Sequence, residues 1–251
     1  MISIIVSSRE LNRQNPGNLT NLLVSLKNSI YSPKNVEVIF KFDDDDFLIE
    51  NELYKAASQC PELNIKYFSS ERYGYLGLHK AYEEALDLMD PNSYIITVTA
   101  DDFIFKPNSN WDKEMLDNSS HLKNKPFLVQ DMKKLGHMHD SPVFSKKLID
   151  LIGWGNSLSV DGLLVNLVEL YLKNNLKEYI THSSEFAMRQ MSSFDMSHER
   201  WNVEREELMR YLASPKYQDF LKKCEEAIKN YFNIENFKSI IKSYSPGGIG
   251  K

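Results

Sequence analysis

A chain of 251 residues with 42% hydrophobic, 26% charged and 12% aromatic residues can bury a full core as one large α/β domain, and its composition excludes intrinsic disorder over most of its length. A net charge of -5 leaves no global basic field, which argues against nucleic acid as a main partner despite the local pairs Lys133-Lys134 and Lys146-Lys147. Cys60 and Cys224 stand in no CxxC spacing, so neither a metal knuckle nor a disulfide framework is indicated and a reducing, cytoplasmic setting fits; no window is long and apolar enough to span a bilayer, and Ile2 to Val6 lacks a basic leader, so no export and no transmembrane anchor is expected.

In chain order, Ile2-Ser3-Ile4-Ile5-Val6 reads as a buried first strand that runs into Ser7-Ser8-Arg9. After Pro16-Gly17, Asn18 can cap a helix in which Leu19, Leu22, Leu23, Leu26 and Ile30 keep helical spacing, and Pro33 ends it. Residues 36–42 make a second strand closed by Asp43-Asp44-Asp45-Asp46. Only Asp43 or Asp44 is expected to point inward, with Asp45 and Asp46 as loop charges. A strand, a helix and a second strand imply a right-handed parallel unit. A helix over Glu50 to Ser58 then leads to a peripheral third strand, Leu63 to Phe68, and to the loop Ser69 to Gly74. A helical stripe follows through Leu78, Ala81, Tyr82, Ala85, Leu88 and Met89, with Gly77 permitting a close approach to its first turn.

The β-branched run Tyr94-Ile95-Ile96-Thr97-Val98-Thr99 predicts a strand buried on both faces, and Asp101-Asp102 emerge at its carboxyl end. Ligands of open parallel sheets bind in that crevice, and two adjacent carboxylates there invite a cation. The first ~105 residues thus alternate strand and helix with acidic tips after the second and fourth strands, as suits a nucleotide-binding half.

Beyond Pro107 the rhythm changes. Trp111 to Leu116 reads as a helix, residues 127–130 as a strand, Gly136 to Pro142 as a loop, and Ser145 to Ile152 as a helix. The loop Gly153 to Ser159 precedes a helix from Val160 to Leu172 that Ser159 can cap and that bears Asp161 in its first turn. A strand from Glu178 ends at His182, and a tail helix carries Tyr217, Phe220, Leu221, Cys224, Ala227, Ile228, Tyr231 and Phe232 on one face, the pattern of core packing. Residues 243–251 are rich in Gly, Ser and Pro and predict a frayed end; no internal repeat is visible.

The order of the Ile2 strand ending in Ser8-Arg9, the Phe40 strand ending in Asp43-Asp44, the Arg72-x-Gly74 segment opening a helix, and Thr99-Ala100-Asp101-Asp102 resembles the family 2 glycosyltransferases of GT-A fold, over roughly residues 1–200. The resemblance implies a GT-A domain over 1–200, with a nucleotide-sugar-binding half (1–105) and an acceptor-binding half (106–200), and a helical C-terminal extension with a flexible tail over 201–251. It places the base contact on Asp44, the divalent metal on Asp101 and Asp102, and the catalytic base on Asp161. Ser8, Arg9, Asp43, Arg72, Gly74 and Asp101 fall around the donor, and residues 139–149 look like the acceptor-side segment. Thr99 stands where many members place a first Asp, and Val160 where many have Glu. Arg189-Gln190 is not followed by the Arg-Trp of processive synthases, so transfer is expected to be non-processive.

The implied function is metal-dependent, inverting transfer of a sugar from a nucleoside diphosphate to a hydroxyl of a glycan, lipid-linked or protein-linked acceptor, with peripheral membrane contact left open. Mg²⁺ or Mn²⁺ suits carboxylate oxygens and offsets the charge of the leaving diphosphate, while a positioned carboxylate takes the acceptor proton. His182 is either a further metal ligand, as a downstream His is in some relatives, or a surface residue. Arg9 and Arg72 either bind phosphates or pair with the neighbouring acids. His137 and His139 form an HxH pair with no supporting carboxylate or Cys spacing, and His198 carries less signal still. Two other readings stand beside this one, an inactive sugar-nucleotide-binding protein and a nucleotidyltransferase using the same metal logic.

Overall fold

Four strands, β1 (Ile2–Ser8), β2 (Val36–Asp43), β3 (Asn64–Ser70) and β4 (Ile95–Ala100), run parallel in the order β3-β2-β1-β4. The computed structural model describes residues 1–8, 18–73, 77–130, 141–155, 160–184, 186–189 and 210–241, apart from the side chains of Asp161, Met188 and Arg189. The β-branched and aromatic runs of β1, β2 and β4 are buried on both faces, as a central parallel strand requires, whereas β3 forms the open edge with Asn64, Tyr67 and Ser69 exposed. Helices α1 (Asn18–Lys27), α2 (Ile49–Ser58) and α3 (Leu78–Leu86) supply the crossovers. The helix of the 78–89 stripe ends at Leu86, three residues earlier than its apolar spacing reaches.

The second half adds β5 (Phe103–Phe105), α4 (Trp111–Ser119), β6 (Leu128–Gln130), β7 (Val143–Ser145), α5 (Lys146–Ile152), α6 (Val160–Lys173), β8 (Ile180–His182), β9 (Ala187–Arg189) and α7 (Pro215–Phe232). Strand β7 inserts antiparallel between β4 and β6, β8 lies parallel beyond β6, and the sheet among the described residues reads β3-β2-β1-β4-β7-β6-β8. Strands β5 and β9 pair separately as a two-stranded ribbon. The short strands β5, β7 and β9 are absent from the sequence reading, which finds the equally short β6 and β8. Ser145 closes β7 and caps α5 at once: its hydroxyl oxygen accepts from the Leu148 amide at 3.1 Å and from the Phe127 amide at 2.8 Å.

Two cores flank the sheet. On one face Ile4, Val6, Phe40 and Phe42 pack against Leu22 and Leu26 of α1, Leu53 of α2 and Trp111 of α4. On the other, Ile5, Ile39, Ile96 and Val98 meet Tyr82 of α3, Leu148 of α5, Leu163 and Leu167 of α6, and Tyr217, Leu221 and Ile228 of α7. Each fully buried side chain of this size contributes about 1.5–3 kcal/mol. The apolar stripe expected in the tail is therefore core packing, and α7 shares a core with the α3 face of the first half of the chain. No helix among the described residues is long and apolar enough to cross a membrane.

Candidate functional site

The parallel strands deliver their carboxyl ends to one edge of the sheet. There Ser8, the last residue of β1, donates its hydroxyl to the Asp101 carboxylate just past β4. Both are buried, at 6% and 5% exposure, and Asp102 beside them is half-buried in the turn into β5. Two adjacent carboxylates offer only oxygen donors, which is the chemistry a hard divalent cation takes. Among the described residues no three His, Cys, Asp or Glu side chains converge enough to hold a metal by themselves. The pair therefore fits a cation whose remaining oxygens come from a ligand or water, as Mg²⁺ is commonly held against phosphates.

The four aspartates closing β2 have four different environments. Asp43 turns inward, with Oδ1 2.6 Å from Lys41 Nζ and Oδ2 3.8 Å from Arg72 Nε. Asp44 exposes its side chain, while its amide donates to the Ser70 carbonyl at 2.9 Å and ties its backbone to the end of β3. Asp45 is exposed. Asp46, expected as a loop charge, is instead only 4% exposed. Its amide donates to the Asp43 carbonyl at 3.0 Å, and its carboxylate accepts from the Leu48 amide at 3.2 Å, so it closes the turn that leads into α2.

Arg72 lies by an acid, the Asp43 carboxylate. The residue between Arg72's loop and Asp43 is Lys41, which the sequence reading passed over. Its Nζ reaches the Glu71 carbonyl at 2.9 Å as well as Asp43, and sits 5.0 Å above the Tyr73 ring. The Tyr73 hydroxyl donates to Glu84 of α3, and that bond, with burial second, holds the phenol above its ordinary pKa and keeps it a neutral donor. The other Glu84 oxygen accepts from the Ser70 hydroxyl at 2.7 Å. Gly77 is required where α3 begins, since a Cβ there would lie 2.7 Å from Tyr73 Cβ. The one sequence signal for this cluster is a lysine between two phenylalanines near the end of a buried strand.

In the second half, His182 ends β8, three strands from β4 in the sheet order, or about 14 Å at the usual spacing of ~4.8 Å per strand. Its Nε2 lies 3.4 Å from Glu114 Oε1 on α4, and its side chain is 41% exposed. Its neighbour in the structure is therefore Glu114, and the strand order sets it apart from the acidic pair. Asp161 lies in the first turn of α6, behind a loop in which Gly153 and Gly155 adopt positive φ of 69° and 57°. A Cβ on Gly155 would strike the Phe220 ring of α7 at 2.3 Å, so the C-terminal helix is pressed onto the loop that leads to Asp161. Arg9, Gly74, His137, His139 and His198 lie outside the described residues.

Over 94% of its length the chain superposes on S. aureus TarS with a TM-score of 0.54 at 15% identity, covering 44% of that chain. It is also similar to S. aureus TarS 1–349 in complex with UDP-GlcNAc (TM-score 0.53, 15% identity, 92% of this chain and 72% of that one). A third likeness is to the mannosyltransferase PcManGT from Pyrobaculum calidifontis in complex with GDP-Man and Mn²⁺ (TM-score 0.53, 11% identity, 94% and 76%). The fold is GT-A. The chain thus spans less than half the length of full TarS. Neither a protein-family model nor a curated protein sequence matches it. In this GT-A sheet the carboxyl edge carrying Ser8, Asp43, Asp44, Asp101 and Asp102 is the candidate ligand crevice.

Proposed function

We propose that the protein is an inverting, non-processive glycosyltransferase that moves a sugar from a nucleoside diphosphate to an acceptor hydroxyl. The observation that carries this reading is the acidic pair Asp101-Asp102, braced by Ser8 at the crevice of a GT-A sheet. It is supported by the nucleotide sugars, UDP-GlcNAc and GDP-Man, in two proteins that share the fold. Mn²⁺ stands beside GDP-Man in one of them, in keeping with a divalent ion here.

In this reading Asp101 and Asp102 hold a divalent cation, Mn²⁺ or Mg²⁺, which when bound neutralises charge on the donor diphosphate. Ser8 aims Asp101 by donating its hydroxyl to the carboxylate. Asp44 accepts from the ring N–H of the base, and Arg72, Asp43 and Gly74 shape the pocket beside it, with Arg9 directed to the phosphates. Asp161 takes the proton of the acceptor hydroxyl as its oxygen bonds to the anomeric carbon. The bond from that carbon to the diphosphate breaks, and the nucleoside diphosphate leaves with the electron pair. Attack from the face opposite the leaving group inverts the centre. The acceptor is a glycan or a lipid- or protein-linked hydroxyl, and the two free, buried cysteines suit a reducing cytoplasm.

A thermal-shift panel of nucleoside diphosphates, with and without Mn²⁺, tests the donor half, because a ligand that binds only the folded state raises its melting temperature. One base should stabilise most, and only with the cation. Product analysis then decides the reaction: free nucleoside diphosphate is expected, whereas release of pyrophosphate would identify nucleotidyl transfer.

A further inference from the structure

Lys41 is 3% exposed, inside a strand where its neighbours are Ile39 of β2 and, in register, Phe68 of β3 and Ser7 of β1, none of them charged. An apolar residue would satisfy that environment at no desolvation cost. Replacing a buried ion pair by apolar side chains is often neutral or stabilising, so the fold itself gives no reason for an ammonium there. What the ammonium does is geometric. It touches Asp43 at 2.6 Å and the Glu71 carbonyl at 2.9 Å, and it rests on the Tyr73 ring at 5.0 Å, thereby joining the end of β2 to the connection between β3 and α3.

That joint fixes the stretch from which Asp44 projects. Residue 43 is held through its side chain by Lys41, and residue 44 through its amide by Ser70. The far side of the joint is held as well, because Tyr73 donates to Glu84 and lies under Lys80 Nζ at 5.1 Å. The Asp43 carboxylate is thus engaged by Lys41 and approached by Arg72, whereas the exposed Asp44 carboxylate stands next to it at the crevice.

We propose that Lys41 is a positioning residue for base selectivity: by locking Asp43 to the 71–73 loop, it sets where the Asp44 carboxylate meets the donor base. The proposal rests on the nucleotide-sugar reading above. It assigns the discrimination between bases to a residue that touches neither base nor phosphate.

The test is calorimetric titration of UDP, GDP, CDP and ADP in Mn²⁺ against the wild type, Lys41→Met and the double variant Lys41→Met/Asp43→Asn, with inorganic pyrophosphate as a base-free probe. The double variant removes both charges and leaves no lone buried carboxylate, so it keeps the question answerable where the single variant fails to fold. In the folded variants the ratio between the preferred base and the next should fall by about tenfold, the scale of losing one well-placed polar contact, while pyrophosphate affinity stays within about twofold of wild type. A structural role alone would lower the melting temperature and leave the ratio untouched. Variants that keep the wild-type ratio overturn the proposal and leave the donor reading intact. A wild type that binds none of the four nucleotides, or all four equally, overturns the proposal as well, and the first of these outcomes removes the donor reading with it.

Discussion

The Ser8 hydroxyl donates to the Asp101 carboxylate across the carboxyl ends of β1 and β4, so the tip of the first strand braces an acid 93 positions later in the chain. Ser8→Ala leaves a buried carboxylate one donor short, which costs about 1–3 kcal/mol. Scanning calorimetry should show a lower melting temperature, by roughly 2–4 °C per kcal/mol for a chain of this size. Nucleotide affinity in Mn²⁺ should weaken with it. A variant as stable as wild type would mean that the contact contributes nothing.

Asp102→Asn removes one of the two carboxylates assigned to the cation. Nucleoside diphosphate affinity should drop in Mn²⁺ and match wild type in the presence of a chelator, as read by titration calorimetry. Wild-type affinity indifferent to the chelator would sink the metal assignment.

Asp161→Asn keeps the side-chain shape at the start of α6 but removes the basic oxygen. Donor affinity and folding should stay near wild type, while turnover onto an acceptor falls by ~10² to 10⁴, the span of lost general-base assistance. Slow hydrolysis of donor by water should persist. An undiminished transfer rate would leave Asp161 as a carboxylate favourably placed at a helix N-terminus.

Thr97 is 1% exposed in the middle of β4, between Ile4 of β1 and Val143 of β7, and its hydroxyl has no hydrogen-bond partner among the described residues. Thr97→Val keeps the branched shape and removes an unsatisfied group, so it should stabilise the fold by about 1 kcal/mol in a urea titration. A destabilised variant would show that the hydroxyl is satisfied in solution.

Burial pushes the Cys224 thiol from 9.0 up to about 12. The unfolded chain releases that proton first, so this share of stability is complete below pH ~9 and is lost as pH rises from there to about 12, by up to ~1.4 kcal/mol per pH unit. Urea midpoints at pH 8, 9 and 10 should fall more steeply for wild type than for Cys224→Ala. Parallel pH profiles would contradict the assignment.

Much of the first half of the chain was legible because its signals are local. The β-branched runs at residues 2–6, 36–42 and 94–99 could only be buried strands, the stripes from Leu19 and Leu78 could only be helices, and acids at strand ends mark a crevice whichever residues they meet. The elements that sequence missed were β5, β7 and β9, of which β7 reverses direction between β4 and β6 and so joins β6 and β8 to the parallel strands.

Which acid turns inward was decided by contacts that no local pattern encodes. Asp43 and Asp46 turn inward and Asp44 outward because Lys41, Arg72, Ser70 and the turn into α2 surround that strand end in three dimensions. Sequence leaves His182 open between a ligand and a surface residue, and only the fold sets β8 three strands from β4 with Glu114 beside it. Periodicity and residue type report only on neighbours within a few residues, so the alternation of elements and the acidic tips could be read directly from the chain. The partners of each charge lie tens of residues away, and crossover order and packing alone bring them within reach.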